Sequence, residues 1–540
     1  MLRVKKSALA LMLVVCGGFS PASRGAGQPC EQLAQLGLPN VKITSSQIVA
    51  AGAFTVPAGL PPWIAGDPAL YKQLPAFCRV IAQSRPSSDS DIQIEVWMPA
   101  TSWNGKFRGQ GNGGFAGQLD YPAMAKAVLQ GYASAATDTG HAGNGAEATW
   151  ALGHPEKIID FGYRAIHEMT VVGKAAVTAF YGGAAKYSYF AACSNGGRQA
   201  FMEAQRFPED YNGILAGAPA NYWTHLLASA LWDAQATMLD PESYIPSAKV
   251  PAIAQAVVAA CDANDGVKDG IINDPRQCQF DPATMLCKEG NSDSCLTQAQ
   301  VMALKKLYAG ASDSHGKQIF PGFVPGGEPG PGGWPLWITG SAPTKALLFA
   351  FAYGYFADMV YQKTDWDYRT ANLDDAVPVS DKKFARVLNS AEPNLQPFAT
   401  RGGKLIVYHG WSDAAISPLN AIDYYESVVK RMGQTDVDSF LRLYMVPGMQ
   451  HCGGGPGADV FGENGFAAAE DSQHDIYAAL EQWVEKGIAP TAIIAAKMDG
   501  EGPAAKVKFT RPLCAYPQQT KYKGAGDPND AASFACTAAK

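Results

Sequence analysis

The sequence predicts an α/β fold in which a mostly parallel sheet is covered by helices on both faces. Short apolar strand patterns alternate with helical patterns along residues 28–218 and again along residues 395–540. Residues 219–394 interrupt this alternation. Strands that alternate with helices are typical of sheets whose parallel strands are joined by helical crossovers. We therefore expect one α/β core in two parts, with an inserted domain between them.

The strand and helix patterns of the core follow one another in a regular order. In the first part, strands are predicted at residues 92–98, 106–110, 133–137, 188–192 and 213–216, and helices at 163–181 and 197–206. In the second part, strands are predicted at residues 404–408 and 441–446, and helices at 418–432 and 471–486. Loops at the carboxyl ends of such strands are where α/β proteins build ligand sites.

The inserted segment at residues 219–394 is predicted to form a lid domain. It contains a Gly/Pro-rich stretch at residues 321–335 and a dense run of aromatic residues from Phe349 to Tyr368. Aromatic rings combine a large apolar area with a preferred stacking geometry. We expect most of these rings to form the core of the lid and some to stack on a substrate ring.

The N-terminus and the overall charge indicate an exported protein with a small-molecule partner. Three basic residues (Arg3, Lys5 and Lys6), an apolar run at 8–15 and small residues up to 27 are typical of a signal peptide, cut between residues 18 and 27. No stretch is long enough to span a membrane, and the net charge of -6 does not suggest a nucleic-acid partner. We expect a secreted or periplasmic protein; a lipid anchor at Cys16 is the less favoured alternative. The oligomeric state stays open.

The cysteine count predicts disulfide bonds. The chain has 11 cysteines, and removing Cys16 with the signal peptide leaves an even number, which is typical of exported proteins with disulfides. The spacing suggests four local pairs, which are Cys30 with Cys78, Cys261 with Cys278, Cys287 with Cys295, and Cys514 with Cys536. Cys193 and Cys452 are then left as a long-range pair. The alternative is a set of free core cysteines.

Ser194 has the sequence context of a catalytic nucleophile. A strand pattern ends at Ala192, a tight turn follows, and a helix pattern begins near Arg198. This strand–turn–helix arrangement is the nucleophile elbow of α/β-hydrolases, whose crowded turn needs small residues two before and two after the serine. Gly196 meets this need, and Ala192 stands where glycine is commoner. The alternative is a serine that only caps an ordinary helix.

Asp413 and His451 complete a predicted catalytic triad with Ser194. Both follow strands, and their order after the serine is the order of this fold class. If Cys193 and Cys452 are bridged, their Cα atoms lie about 5.5–6 Å apart, which brings Ser194 and His451 together. Two other histidines, His409 and His141, are alternatives for the base. His409 is expected to be a packed, hydrogen-bonded residue, and His141 to line the pocket at most.

An oxyanion hole requires two backbone N–H groups that point at the developing negative charge. The N–H of Asn195, directly after the nucleophile, is the first candidate. The second is expected from the glycine-rich loop at residues 109–117, because glycine lets the backbone approach a substrate closely.

A calcium site is predicted in the lid. The loop at residues 261–271 places three carboxylates close together, and oxygen ligands at this density suit Ca²⁺ in a structural role. The predicted ligands are the side chains of Asp262, Asp265 and Asp269 and the carbonyls of Val267 and Ile271. A disulfide between Cys261 and Cys278 would close the loop. The alternative is a solvated acidic turn.

Five motifs together resemble the tannase and feruloyl esterase family, which includes mono(2-hydroxyethyl) terephthalate hydrolase. They are Trp103-Asn104-Gly105, the segment from Cys193 to Arg198, the acidic loop 262–271, Gly410-Trp411-Ser412-Asp413, and the segment 451–457 that begins His-Cys. The resemblance implies a Cys193–Cys452 bridge beside the triad, calcium in the lid, and a substrate that is an aromatic acid ester. It also assigns Gly114 as the second oxyanion donor.

We therefore expect a secreted serine carboxylic ester hydrolase that cleaves hydroxycinnamate or hydroxybenzoate esters through an acyl-enzyme. One alternative is a terephthalate monoester hydrolase. The resemblance implies a lid arginine for that branch, and residues 340–368 contain no arginine. An alternative from another class is a non-catalytic secreted protein that binds aromatic ligands.

Overall fold

The computed structural model describes residues 27–538 apart from residues 61, 464 and 501–504. The predicted signal peptide, with Cys16, lies outside the described residues except for its last position, Gly27.

The strands in the described part of the chain are β1 (Val41–Val49), β2 (Phe77–Ser84), β3 (Ile92–Pro99), β4 (Lys106–Gln110), β5 (Ala133–Thr137), β6 (Tyr187–Cys193), β7 (Gly213–Gly217), β8 (Gly310–Ser312), β9 (Gln318–Pro321), β10 (Lys404–Gly410), β11 (Leu441–Val446), β12 (Ala492–Asp499), β13 (Lys506–Cys514), β14 (Gln518–Tyr522) and β15 (Phe534–Ala538).

The α-helices there are α1 (Pro62–Ala65), α2 (Pro68–Lys72), α3 (Tyr121–Leu129), α4 (Pro155–Ile159), α5 (Ala165–Tyr181), α6 (Asn195–Arg206), α7 (Trp223–Met238), α8 (Val250–Cys261), α9 (Gln298–Ala309), α10 (Trp334–Trp337), α11 (Leu347–Gly354), α12 (Leu373–Ser380), α13 (Arg386–Leu388), α14 (Gln396–Thr400), α15 (Leu419–Met432), α16 (Gln434–Phe440) and α17 (Ile476–Lys486). Turns of π-helix lie at Asp160–Arg164, Tyr355–Tyr361 and Asp381–Ala385. Short 3-10 helices lie at Cys30–Gln35, Thr149–Ala151, Pro241–Ser243, Ser247–Lys249, Asp262–Asp265, Pro275–Gln277, Pro282–Met285, Tyr368–Thr370 and Ala531–Ser533.

Nine strands form one central sheet in the order β1-β2-β3-β5-β4-β6-β7-β10-β11. The strands from β5 to β11 in this order pair in parallel, whereas β1, β2, β3 and β5 pair antiparallel. The predicted α/β-hydrolase fold is confirmed. The sheet is mixed and not mostly parallel along its whole width, because its first three strands form an antiparallel meander.

The sheet is covered on both faces, as its strand periodicity requires. In β10, Leu405 and Val407 belong to an apolar cluster with α5, α6 and α15, whereas Ile406 and Tyr408 belong to a cluster with α17. Alternate residues of a strand point to opposite faces, so a strand buried on both sides reads as a continuous apolar run. This explains why the central strands could be predicted so clearly.

The inserted segment leaves the sheet after β7 and returns at β10, which is the neighbour of β7 in the sheet. It contains helices α7 to α13 and the β8–β9 hairpin. Its apolar side chains form a cluster that also includes Phe115, from the glycine-rich loop, and Phe161. The limits of the lid at residues 219 and 394 stay a prediction.

One helical stretch of the described residues, Pro241–Asp265, is apolar and long enough to cross a membrane by length and composition alone. It consists of several short helices with a non-helical break at residues 244–246. Val250, Ile253 and Val257 pack into the apolar cluster of the insertion. We read the stretch as a set of packed helices.

The structure pairs the ten described cysteines as their spacing predicts. The disulfides are Cys30–Cys78, Cys193–Cys452, Cys261–Cys278, Cys287–Cys295 and Cys514–Cys536.

Candidate active site

Ser194 occupies a strained turn between β6 and α6. Its backbone has φ 67° and ψ -125°, a conformation that non-glycine residues rarely adopt and that is concentrated at functional sites. The turn is held in place from both sides. The N–H of Ser194 donates to the carbonyl of Gly217 at 2.9 Å, and the N–H of Arg198 donates to the carbonyl of Ser194 at 3.1 Å. The serine side chain is thereby presented at the carboxyl edge of the sheet.

The methyl group of Ala192 fits this turn because two neighbouring positions are glycine. A Cβ atom at Gly196 would lie 2.3 Å from the Cβ of Ala192, and one at Gly111 would lie 2.6 Å from it. Neither separation is sterically possible. The departure from the usual glycine at position 192 is therefore accommodated by glycine at positions 111 and 196.

The structure brings the three predicted triad residues together. His451 Nε2 lies 2.9 Å from Ser194 Oγ, and His451 Nδ1 lies 2.8 Å from Asp413 Oδ2. Asp413 follows β10 and His451 follows β11, and these strands are adjacent and parallel. The serine hydroxyl can donate to one imidazole nitrogen while the other donates to the carboxylate, as nucleophilic catalysis by serine requires.

Asp413 is buried and accepts several hydrogen bonds. Its Oδ1 accepts the N–H groups of Ala415 and Ile416 at 2.8 and 2.9 Å. Its Oδ2 lies near His451 and also 3.1 Å from His409 Nε2. Burial opposes ionisation, but the two histidines outweigh it and hold the pKa of the Asp413 carboxyl well below its ordinary value. The carboxylate is therefore charged at neutral pH.

The Cys193–Cys452 disulfide links the two loops that carry Ser194 and His451. The two cysteine Cα atoms lie 5.9 Å apart. Cys452 has φ 62°, so the backbone takes a left-handed conformation immediately after the histidine. The bridge fixes the distance between two loops that lie far apart in sequence.

The two predicted oxyanion donors line the same cleft as Ser194. Asn195 is the first residue of α6, and Gly114 lies across the cleft in the glycine-rich loop. Gly114 has φ 55°, and a Cβ atom there would lie 2.2 Å from the carbonyl oxygen of Gly145. Only glycine fits this position. Their role in holding an oxyanion stays a prediction.

The glycine-rich loop is fixed to helix α6 by a pair of amide side chains. The backbone N–H of Asn112 donates to Gln199 Oε1 at 3.1 Å, and Gln199 Nε2 donates to Asn112 Oδ1 at 2.7 Å. Asn195 Nδ2 donates to the carbonyl of Asn112 at 3.2 Å. Both sides of the candidate oxyanion hole are thereby held in one network.

Arg198 is fully buried beside this network. Its guanidinium donates to Asn195 Oδ1 at 2.8 Å and to the carbonyls of Phe161, Gly162 and Leu388 at 3.0, 2.7 and 3.3 Å. Burial lowers the pKa of Arg198 to about 9. This cation holds the first turn of α6 against the neighbouring π-helical turn and the end of the insertion.

The cleft above Ser194 is lined almost entirely by apolar side chains. Beyond the triad and oxyanion residues, its walls consist of Ala220, Trp223, Leu226, Leu227, Ala230, Trp337, Leu348, Phe351, Ala415 and Ile416. No Arg, Lys, Asp or Glu side chain is among the described residues that line it. The cleft can therefore bind a neutral apolar group, and it offers no cation to a carboxylate.

Two tryptophans of the cleft were not predicted from the sequence. Trp337 packs edge-on against the imidazole of His451, with ring centroids 5.0 Å apart, and Trp223 is buried. Trp337 follows the Gly/Pro-rich stretch of the insertion, where no periodic pattern indicates its position. Of the aromatic run from Phe349 to Tyr368, most of which was expected to form lid core, Phe351 lines the cleft.

The two alternative histidines are both buried. His141 Nε2 lies 2.7 Å from the carbonyl oxygen of Phe115, and its ring stacks on Trp150 at 3.7 Å. Burial lowers its pKa to about 4. His141 supports the glycine-rich loop from below and is not among the cleft-lining residues. His409 lies in β10 and is hydrogen-bonded, as expected, and its partner is the triad aspartate Asp413.

The predicted calcium ligands lie in one loop, where their carboxylates accept hydrogen bonds from the protein itself. Asp262, Asp265 and Asp269 each accept a backbone N–H within the loop, and the other oxygen of Asp269 pairs with Arg511 at 2.7 Å. Burial, together with the neighbouring carboxylates, raises the pKa of Asp265 to about 6. Among the described residues, no group of three or more His, Cys, Asp or Glu side chains is placed to hold a metal ion.

Comparison with known proteins shows which family the chain is similar to. A family model described as tannase and feruloyl esterase matches residues 78–537. An uncharacterized esterase from Xanthomonas campestris pv. campestris is 41% identical over 560 residues, covering 99% of this chain and 96% of that protein. A probable feruloyl esterase B-1 from Aspergillus oryzae is 32% identical over 518 residues, covering 94% of this chain and 92% of that protein.

A solved structure shares the same fold over nearly its whole length. The crystal structure of feruloyl esterase B from Aspergillus oryzae superimposes with a TM-score of 0.86 at 31% identity, covering 94% of this chain and 99% of that chain.

Proposed function

The chain belongs to the tannase and feruloyl esterase family, and on that premise we propose that it cleaves aromatic acid esters by a serine acyl-enzyme mechanism. It is a carboxylic ester hydrolase. The observation that carries the proposal is the hydrogen-bonded series from Ser194 through His451 to Asp413, at the base of an apolar cleft.

In the proposed reaction, Ser194 Oγ attacks the ester carbonyl while His451 takes the hydroxyl proton. The N–H groups of Asn195 and Gly114 hold the oxyanion, and Asp413 stabilises the charged imidazole. His451 then gives the proton to the departing alcohol. Water attacks the acyl-enzyme by the same route and releases the acid.

The apolar walls support a neutral aromatic acyl group. Moving a carboxylate from water into a pocket without a cation or sufficient hydrogen-bond donors carries a large cost. The second carboxylate of a terephthalate monoester would meet that cost here, since no cationic side chain lines the cleft among the described residues. Gallate brings three hydroxyls, which the same walls leave without partners. We therefore propose hydroxycinnamate esters with few free hydroxyls as the best substrates.

The test is kcat/KM on methyl ferulate, methyl gallate and mono(2-hydroxyethyl) terephthalate. We expect methyl ferulate to exceed each of the others by at least about tenfold, which corresponds to 1.4 kcal/mol of transition-state binding. A preference for the terephthalate ester would contradict the proposed substrate class.

The mechanism is tested separately with Ser194→Ala, which we expect to lower kcat by about 10⁴-fold or more and to abolish labelling by a fluorophosphonate. The exposed Ser439→Ala is the matched control. Turnover and labelling in Ser194→Ala at the level of the control would contradict the serine mechanism. Absence of turnover on any ester, with no labelling of the unaltered protein, would favour the non-catalytic binding protein.

We also propose that the protein acts outside the cytoplasm. Five disulfides support this, because such bonds persist in oxidising compartments. N-terminal sequencing of the exported protein should locate the signal-peptide cut between residues 18 and 27. An intact Met1 would contradict it.

We further propose that the acidic loop binds Ca²⁺ as a structural ion. The crowding of Asp262, Asp265 and Asp269 supports this, since a divalent cation would relieve the repulsion that contributes to the raised pKa values of Asp262 and Asp265. The residues that would hold the ion are these carboxylates with the carbonyls of Val267 and Ile271. Ca²⁺ would neutralise the loop and stabilise its fold.

Addition of Ca²⁺ to chelator-treated protein should raise Tm by several degrees, and Asp265→Asn should abolish this response. Asp313→Asn, which removes a carboxylate from another turn of the insertion, is the control. An unchanged Tm with and without Ca²⁺ would favour the solvated acidic turn.

A further inference from the structure

His409 is a second histidine on the triad carboxylate. It lies in β10, four residues before Asp413, and its side chain is fully buried. Its Nε2 lies 3.1 Å from Asp413 Oδ2, the same oxygen that His451 Nδ1 approaches to 2.8 Å. The same Nε2 also lies 3.2 Å from the carbonyl oxygen of Ile416. The triad aspartate is thus shared by two imidazoles.

The position of the proton on His409 follows from its neighbours. Asp413 Oδ2 and the carbonyl of Ile416 are both acceptors, so Nε2 must carry a hydrogen and donate it. Nδ1 is buried and has no hydrogen-bond partner among the described residues. A proton on Nδ1 would place a buried charge without an acceptor, which is unfavourable. His409 is therefore the neutral Nε2–H tautomer.

We propose that His409 is a positioning residue of the esterase, which fixes the Asp413 carboxylate so that it faces His451. The inference rests on the proposed serine mechanism. The two N–H groups of Ala415 and Ile416 hold Oδ1 from one side, and His409 holds Oδ2 from another. With Oδ1 held by the backbone alone, the carboxylate could still rotate about that oxygen and move Oδ2 away from His451.

A neutral donor suits this role. A lysine or arginine at the same place would neutralise Asp413 and weaken its interaction with the charged form of His451. The neutral imidazole orients the carboxylate and leaves its negative charge in place. The contact with Ile416 ties the same ring to the loop after β10, which also lines the substrate cleft.

Replacing His409 by asparagine or by glutamine tests whether the hydrogen-bond donor at the Nε2 position matters, separately from the size of the side chain. The amide nitrogen of glutamine can reach the position of Nε2, whereas that of asparagine is one methylene too short. We expect His409→Asn to lower kcat by about 10- to 100-fold with KM changed less than twofold. We expect His409→Gln to recover most of this loss. The split between kcat and KM follows because His409 does not line the cleft.

A double substitution removes the influence of general destabilisation. If His409 acts through Asp413, the loss in kcat caused by His409→Asn should disappear in an Asp413→Asn background. Equal kcat for His409→Asn and the unaltered enzyme would overturn the proposal. Equal losses in kcat for His409→Asn and His409→Gln would also overturn it. The same holds if His409→Asn causes its full loss in kcat in the Asp413→Asn background.

These outcomes are separable from failure of the proposed function. If Ser194→Ala keeps its turnover, the serine mechanism itself is wrong and the inference about His409 falls with it. If Ser194→Ala is inactive and His409→Asn has normal kcat, only the inference about His409 is wrong.

Discussion

At the scale of single residues, the nucleophile turn depends on which of its positions carry a side chain. Ser194 must keep its strained backbone, and the space beside it is filled by the Ala192 methyl group. Gly111 and Gly196 both border that methyl group. The crowding therefore arises from Ala192, Gly111 and Gly196 together and not from any one of them.

This crowding predicts a compensating pair of substitutions. Gly196→Ala should destabilise the protein by about 1–3 kcal/mol, because its new methyl group would overlap that of Ala192. Adding Ala192→Gly should restore most of the loss, since the remaining contacts of the new Cβ lie at 3.4 Å or more. The measurement is the free energy of unfolding in denaturant. Ala192→Gly alone is the control, and a double variant no more stable than Gly196→Ala would contradict the packing argument.

Individual site residues differed in how far the sequence could predict them. Ser194, Asp413 and His451 each follow a strand, and they occur in the order typical of this fold class. Their positions could therefore be predicted from the sequence. Trp337 and Trp223 approach the cleft only through the fold of the insertion, which has no periodic pattern. His409 lies in β10, and Asp413 lies in the loop that follows this strand. Their contact depends on how that loop turns back towards the strand, and no local sequence pattern predicts this turn.

At the scale of elements, the Cys193–Cys452 bridge joins the loop after β6 to the loop after β11. Two strands, β7 and β10, separate them in the sheet. The sheet fixes the strands but leaves the loops beyond their ends less constrained. The bridge therefore acts on the distance between the nucleophile and its base more than on the fold.

Replacement of Cys193 and Cys452 by alanine should impair catalysis under conditions in which the protein stays folded. We expect at least a tenfold loss in kcat at temperatures where circular dichroism still shows a folded protein, with a stability loss of about 2–4 kcal/mol. The matched control is Cys287→Ala with Cys295→Ala, which removes a bridge in the insertion. Full activity in the Cys193→Ala, Cys452→Ala variant would contradict the role of the bridge.

Elements with two buried faces were predicted best. The central strands β7 and β10 are buried and largely apolar, whereas β1 alternates exposed and half-buried residues such as Lys42 and Ser45 and gave no clear pattern. The predicted helix at residues 471–486 begins only at Ile476, because Asp475 caps it by accepting the N–H groups of Tyr477 and Ala478. The capping side chain accepts the first backbone donors and so starts the helix later than the apolar period indicated.

At the scale of the whole molecule, buried acids couple stability to pH. Burial raises the pKa of Glu463 to about 8 and that of Asp138 to about 7. Between the ordinary carboxyl range and these values, the folded state retains protons that the unfolded chain releases. The free energy of unfolding therefore falls as pH rises through this window. Asp413 acts in the opposite sense, and its contribution is lost only at low pH, as pH falls through its depressed pKa.

Stability should accordingly decline between about pH 5 and pH 8, and Glu463→Gln should flatten the decline. One such group contributes a slope of at most about 1.4 kcal/mol per pH unit. The measurement is urea denaturation at several pH values, with the exposed Glu470→Gln as the control. An unchanged slope in Glu463→Gln would show that this carboxyl does not set the dependence.

The bridge beside the active site has a consequence for a chain that has been cut. Each of the other four disulfides closes within one side of the Gly/Pro-rich stretch at residues 321–335. A protease that cleaves this stretch would leave Ser194 on one polypeptide and Asp413 with His451 on the other. Of the disulfides in the described part of the chain, only Cys193–Cys452 would then join them covalently. Such a two-chain form would run as one band on a gel until a reductant separated the nucleophile from its base.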